Sequence, residues 1–443
     1  MHPAIIKRPD QYCEDIVHHR FWLFRLLLLW LLTQTACAGF PSSTAPTTLS
    51  ERVVLRLWHA WPAAEARVLQ TLVDTFNQAH PEWQVVLQTR PAVSLPSDLV
   101  TAVGEGGGPH LVIIQSHTLG VLVENGVLRS LDDMLAGSEL NSLLPTAVGA
   151  ASVSVDGRSM LFGVPITFDT LALYYNRANI LQPPSSIEEL LLTARALTDR
   201  ERDPPVWGLA YNLALDRTIG YLYAFGGRVF DEQGTVVLGS SGREGAERWL
   251  TWLSQLYRDE LLLATLDGVL VDRALQAREA IMTIDWAHAQ AEYRAIWNDQ
   301  LGVTLLPVVS TEDRVPQPYV QADVIAINAR LNNPAEQAAA QAFIRFMIDV
   351  DSQRMLLMAG RQPTQLALSL NDTDLADSVQ LAAARAFRLQ AQRGLPMPTD
   401  RITNELVWNT LADMQLSAVR GLITPEQAVT LADEILRSRI TPP

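Results

Sequence analysis

Short apolar runs of strand length alternate with amphipathic stretches of helix length along most of this chain, which limits the fold to an α/β architecture. Val53-Val-Leu-Arg-Leu-Trp58 reads as a buried strand, with Trp58 placed in the core. Pro62 opens a helix near its first turn, Ala66, Leu69, Leu72, Val73 and Phe76 recur at helical spacing, and Pro81 ends it. Residues 83–88 form the next strand and residues 95–103 the next helix. That helix is halted by Gly104 and the Gly106-Gly-Gly-Pro109 break, after which residues 111–115 read as a third strand. Strands joined through helices predict right-handed βαβ units and a mainly parallel sheet. Ligands in such sheets bind beyond the carboxyl ends of the strands. The candidates there are His59-Ala60-Trp61 and Gln115-Ser116-His117.

A second α/β region begins at Leu171-Ala-Leu-Tyr-Tyr-Asn176. The spacing predicts helices over 186–198, 220–225 and 242–257, and strands over 206–211, 280–284 and 324–327. A long helix follows from Pro334, and the C-terminal third is largely helical. Thr424-Pro-Glu-Gln is a capping-box-like start to its last helix.

The N-terminus carries a different signal. Basic residues Lys7, Arg8 and Arg20, a short apolar run over 21–32 and small Thr35-Ala36 read as a signal peptide over 1–36. The run is interrupted by Arg25 and is too short for a bilayer span of about 20 residues. Starting at Val17, which a GTG codon allows, gives a more compact signal. Cys37 at the cleavage point is similar to a bacterial lipobox cysteine, the site of lipidation, although Gln34 stands where that motif has Leu. Residues 37–50 read as a flexible lipoprotein tether. The protein is thus expected outside the cytoplasmic membrane, in the cell envelope, lipid-anchored.

Composition removes several chemistries. The net charge of −14 becomes about −15 without the leader, which argues against nucleic acid as a partner. Lys7 is the only lysine, so Schiff-base and P-loop mechanisms are excluded from the mature chain. Cys13 falls in the leader, leaving Cys37 alone, with no disulfide and no cysteine metal site. The histidines are scattered, so no metal and no cofactor is expected. No G-x-S-x-G, H-E-x-x-H or strand-borne G-x-G-x-x-G occurs, so the reading is not an enzyme.

An ordered series of short motifs covers nearly the whole mature chain. It runs Leu57-Trp-His-Ala-Trp61, Leu72-Val-Asp-Thr-Phe-Asn-Gln-Ala-His-Pro81, Pro109-His-Leu-Val-Ile, and Gly163-Val-Pro-Ile-Thr-Phe-Asp169 before Leu173-Tyr-Tyr-Asn176. It continues with Trp207-Gly-Leu-Ala-Tyr-Asn212, Phe225-Gly-Gly-Arg-Val-Phe, Ala280-Ile-Met-Thr-Ile-Asp-Trp286, Gly360-Arg-Gln-Pro363 and Gly421-Leu-Ile-Thr-Pro-Glu-Gln-Ala428. This order resembles the family 1 extracellular solute-binding proteins, the maltose-binding-protein-like receptors of ABC sugar importers. His110 stands where the family usually has Asp, and Asp285-Trp286 where it has Gly-Ser/Pro-Trp.

The resemblance implies a type II periplasmic-binding-protein fold, two-lobed, with a hinge of three crossovers near 168–171, 320–323 and 361–364. Lobe I would be 51–168 plus 324–361, and lobe II 171–319 plus 365–443. A monomer would bind a carbohydrate between them and pass it to ABC permease transmembrane subunits. The cleft would receive His59, Trp61, Gln115, Ser116, His117, Asp169, Asp216, Asp285, Trp286, Gln321, Asp323, Arg361 and Trp408. Carboxylates accept charge-assisted bonds from sugar hydroxyls, and a Trp face covers the apolar face of a pyranose. Other roles suit some of these residues equally. His59 and His117 fit solvated loops, Asp216 fits a helix cap, and Asp323 and Arg361 fit a hinge salt bridge. The four aspartates with Trp rings also suit a polyamine or other cationic solute. A membrane-tethered hydrolase is the reading from a different class.

Overall fold

The computed structural model describes residues 52–310, 314–371 and 377–440. The expected signal peptide with Val17, and Cys37 with the expected tether, lie outside them. In chain order the strands are β1 (Val53–His59), β2 (Trp83–Thr89), β3 (Leu111–Gln115), β4 (Ser152–Val155), β5 (Arg158–Leu161), β6 (Val164–Asp169) and β7 (Leu171–Asn176). They continue with β8 (Trp207–Asn212), β9 (Leu263–Thr265), β10 (Ala280–Trp286), β11 (Leu301–Thr304), β12 (Tyr319–Ile327), β13 (Gln362–Pro363) and β14 (Leu395–Pro396).

One sheet has the order β13-β6-β12-β3-β1-β2, with β14 pairing β12, and the other has the order β11-β7-β10-β8-β9. The chain steps from the first sheet to the second across Thr170, whose hydroxyl donates to the Tyr319 carbonyl at 3.0 Å.

The expected mainly parallel sheet is corrected to a mixed one. Strand β1 pairs parallel with β2 and β3, whereas β12 lies antiparallel between β3 and β6. A local βαβ pattern dictates parallel pairing only between neighbours in sequence, and β12 returns to this sheet after the whole second sheet has formed.

The buried apolar residues form two large clusters, the first of which also takes in Tyr174, Ala210 and Leu301 of the second sheet. Leu55, Leu57, Ile113 and Val324 meet Phe76 of helix Ala63–Ala79 and Phe343 of helix Pro334–Ile348. Leu209, Tyr211 and Met282 meet Trp249 and Leu253 of helix Arg243–Arg258 and Leu411 of helix Trp408–Val419. The last helix, Pro425–Arg439, starts with the expected capping box of Thr424 and Gln427.

Candidate ligand-binding cleft

Two adjoining cavities open at the strand ends. The first, of ≈ 490 Å³, is walled mainly by the segment after β1, by residues of β3, β6 and β12 and by Arg361. The second, of ≈ 430 Å³, lies among His117, Asp216, Arg217, Trp286, Met397, Asn404 and Trp408. His288 and Gln321 line both, so the two form one cleft. Each falls within the size range of a small-molecule site.

Asp323 anchors the first half. A bulge in the pairing of β12 with β6 falls between Asp323 and Val324, a local device that re-aims side chains near sites. Asp323 Oδ2 accepts from Trp61 Nε1 at 2.9 Å, Thr167 Oγ1 at 3.4 Å and Arg361 Nη1 at 2.5 Å. Arg361 also bonds Glu65 and lies 4.3 Å above the Trp61 ring centroid. Burial pushes the Asp323 carboxyl up, against the opposing pull of Arg361. Burial also works against the Arg361 charge, yet Asp323 and Glu65 outweigh it and hold the guanidinium protonated. Arg361 reaches this position because Gly360, at φ +86°, reverses the chain after helix Val350–Met358.

A second arginine organises the other half. Arg217 contacts Asp216 Oδ2 at 2.8 Å and Asp285 Oδ1 at 2.8 Å. Asp285 further accepts from Tyr293 OH at 2.7 Å, and Trp286 Nε1 donates to Asp216 at 2.9 Å. Between the two networks, Asp169 Oδ2 pairs with His288 Nδ1 at 2.6 Å. That hydrogen bond raises the imidazole's pKa above its ordinary value, despite some opposing burial. A π-helical turn, Ile402–Val407, leads into Trp408, a widening that recurs at functional sites. The chain just before it comes close to helix Leu119–Glu124 because Gly120 has no side chain: an added Cβ would sit 1.9 Å from the Thr399 carbonyl oxygen. Asn404 Nδ2 then donates to the His117 carbonyl at 3.1 Å, while the buried His117 Nδ1 has no partner.

The sequence candidates therefore divide. Trp61, Gln115, Asp169, Gln321, Asp323 and Arg361 line the first half, and His117, Asp216, Trp286, Gln321 and Trp408 the second. His59, Ser116 and Asp285 stand behind the wall. His59 is 1 % exposed, a correction to the solvated-loop alternative. Its Nδ1 accepts from the Trp61 backbone at 3.2 Å, and burial lowers the pKa of the ring. Ser116 Oγ accepts from Ala322 N at 3.1 Å. Asp285 and Trp286 extend β10 two residues past the strand expected from the sequence, so both are buried. Asp216 does not cap its helix: Ala214 holds the N-cap position of helix Leu215–Ala224. Sequence reasoning missed Glu65, Arg217, His288 and Asn404. Among the described residues no group of three or more His, Cys, Asp or Glu could hold a metal ion.

Two mixed sheets joined at Thr170, with a cleft of mutually compensated charges across their strand ends, define a binding-protein architecture. Comparison with known proteins makes this specific. A family described as bacterial extracellular solute-binding protein matches residues 71–384, and the chain belongs to that family. A maltotriose-binding protein of Pyrococcus abyssi is 25% identical over 179 residues, 40% of this chain and 37% of that one. The match thus spans little more than a third of that relative.

The fold is shared with a cyclo/maltodextrin-binding protein solved with maltotetraose, at TM-score 0.75 and 22% identity, covering 88% of this chain and 98% of that one. It is shared too with the Thermus thermophilus maltotriose-binding protein solved with maltotriose, at TM-score 0.68 and 21% identity, covering 87% and 100%. The fold is therefore that of the maltose-binding-protein-like periplasmic binding proteins. The family and these neighbours are binding proteins, and the family works outside the cytoplasmic membrane. No helix of the described residues is long and apolar enough to cross a membrane.

Proposed function

We propose that the protein is the lipid-anchored receptor of an ABC importer, closing two lobes on a malto-oligosaccharide-like carbohydrate and delivering it to the permease. Residues 51–168 with 324–361 form one lobe and 171–319 with 365–443 the other. A ligand touching both sides favours closure because only the closed state offers it both sets of contacts. Cys37 carries the anchor. Trp408 supplies an aromatic face, and Asp169, Asp216 and Gln321 supply acceptors for sugar hydroxyls.

One observation carries the choice of ligand class. Among the described residues every carboxylate lining the cleft has a basic side chain beside it: His288 for Asp169, Arg217 for Asp216, and Arg361 for Asp323 and Glu65. An ammonium ligand would have to displace those partners. Hydroxyl groups need only the remaining lone pairs, in charge-assisted hydrogen bonds. A thermal-shift panel tests this. Maltotriose or maltotetraose should raise the unfolding midpoint, by a stabilisation of about 2.7 kcal/mol at a hundredfold excess over Kd. Spermidine should not. A shift with spermidine and none with any sugar overturns the assignment.

A further inference from the structure

We infer that His288 is a ligand-contacting residue, its free imidazole nitrogen bonding a hydroxyl of a sugar chain that crosses from one half of the cleft to the other. This rests on the carbohydrate reading above and adds a contact at the middle of that site. Both halves hold unspent polar groups. In the first, the Gln115 amide has no hydrogen bond among the described residues, and Arg361 Nε and Gln362 Oε1 are buried in the wall without a partner. In the second, Asn404 Oδ1 accepts no bond from a described residue and His117 Nδ1 is unpartnered. Each half thus suits a ring that carries hydroxyls. Among the described residues only His288 and Gln321 line both.

The fold fixes His288 at that waist. It sits in a short 3-10 turn, Ala287–Ala289, at the end of β10, and Ala287 N donates to the Thr170 carbonyl at 3.0 Å. The turn is therefore tied to the crossing between the sheets. Asp169 grips His288 twice: Oδ1 accepts from the His288 backbone at 3.3 Å and Oδ2 from Nδ1 at 2.6 Å. Gln321 stands opposite Asp169 in the pairing of β12 with β6, which brings the amide to the same place. The two grips leave the imidazole little freedom. Its Nε2 has no partner among the described residues, although the side chain is 60 % exposed. Nε2 donates when the ring carries two protons and accepts when only Nδ1 carries one, and a hydroxyl answers either. A side chain held in advance need not be ordered by the ligand. Asp169 spends two of its roughly four lone-pair sites on His288, which leaves the others for a second hydroxyl.

Isothermal titration of the purified protein with maltotriose, beside His288→Asn and His288→Gln, tests the inference. The Asn amide nitrogen falls where Nδ1 stands, so that variant keeps Asp169 but puts nothing at the Nε2 position. It should bind about tenfold more weakly, the worth of one charge-assisted hydrogen bond. The Gln amide nitrogen reaches the Nε2 position, so His288→Gln should stay within about threefold of the unmutated protein. A pair that only braces the fold would give the opposite order. Far-ultraviolet circular dichroism checks that both variants fold. His288→Asn binding as tightly as the unmutated protein, or His288→Gln binding as weakly as His288→Asn, overturns the contact while leaving the carbohydrate reading intact. Glucose, which occupies one half at a time, should bind the unmutated protein at least about tenfold more weakly than maltotriose, and equal affinities overturn the crossing. Maltotriose bound by none of the three proteins overturns the carbohydrate reading and this inference with it.

Discussion

Trp286→Ala asks whether the indole at the end of β10 is framework or ligand shelf. The resemblance to sugar receptors suggests a shelf exposed in the free protein, but the side chain is 7 % exposed and packs within the second core. Its Nε1 donates to Asp216, and its carbonyl accepts from the buried Tyr174 hydroxyl at 2.7 Å. Truncating a buried Trp to Ala costs about 3–5 kcal/mol, transfer and cavity terms together. Asp216 keeps Arg217, so no unpaired charge adds to that cost. Unfolding entropy of about 2.1 cal/mol/K per residue over roughly 390 residues gives about 0.8 kcal/mol/K, so Tm should fall by about 4–6 °C. Melting followed by circular dichroism without ligand reads this directly. Trp58→Ala is the comparison, since Trp58 is 6 % exposed and donates to Gln88 Oε1 at 2.6 Å. Both midpoints should drop together. An unchanged Trp286→Ala midpoint beside a lowered Trp58→Ala midpoint would refute the framework role and restore the exposed shelf.

Arg361→Ala leaves Asp323 buried without its cation and should cost about 3–5 kcal/mol in urea unfolding, whereas Arg361→Met with Asp323→Leu should recover much of that. A double variant no more stable than the single one would contradict this. His288 is bound by the opposite pH rule from a paired carboxylate. Its folded pKa is raised, so the stabilisation from Asp169 is fully present below the unfolded value of about 6.5 and is lost as pH rises through the folded value. His288→Ala should therefore flatten the fall in stability just above that pH, and an unaltered stability–pH curve would exclude the pair's contribution. Cys37→Ala should release the protein from the membrane fraction, because several acyl chains on one cysteine anchor firmly. Retention after a carbonate wash would rule out the lipid anchor.

Much of the scaffold was legible because it is locally encoded. The apolar runs at β1 and β3 and the spacing of Leu69, Leu72, Val73 and Phe76 are dictated by burial of one face. Helix Ile187–Leu197 fell where Ser186 caps it, its side chain accepting from Glu189 N. Strand extensions were less readable. In β12 the first residues, Tyr319 to Asp323, carry polar Gln321 and Asp323 that line the cleft, so apolar pattern alone starts the strand at Val324. In β10, Asp285 reads as a loop residue until Arg217, 68 positions away, is seen to neutralise it. The missed site residues share that property. Arg217, Glu65 and His288 derive their meaning from partners at Asp285, Arg361 and Asp169, far along the chain. Only the adjacency of Asp216 and Arg217 offered a local hint, and adjacent opposite charges are common on ordinary helix surfaces.

The most direct test of the central claim is an isothermal titration of maltotetraose against the unmutated protein and Trp408→Ala. Trp408 is half-buried at the edge of the second half of the cleft, its ring centroid 6.3 Å from that of Tyr319, so its removal exposes a sugar face more than it empties a core. The account predicts one-to-one binding that weakens by about 30- to 900-fold in the variant, the equivalent of about 2–4 kcal/mol for a buried aromatic anchor. No binding of maltotetraose, or binding that Trp408→Ala leaves unchanged, would contradict it.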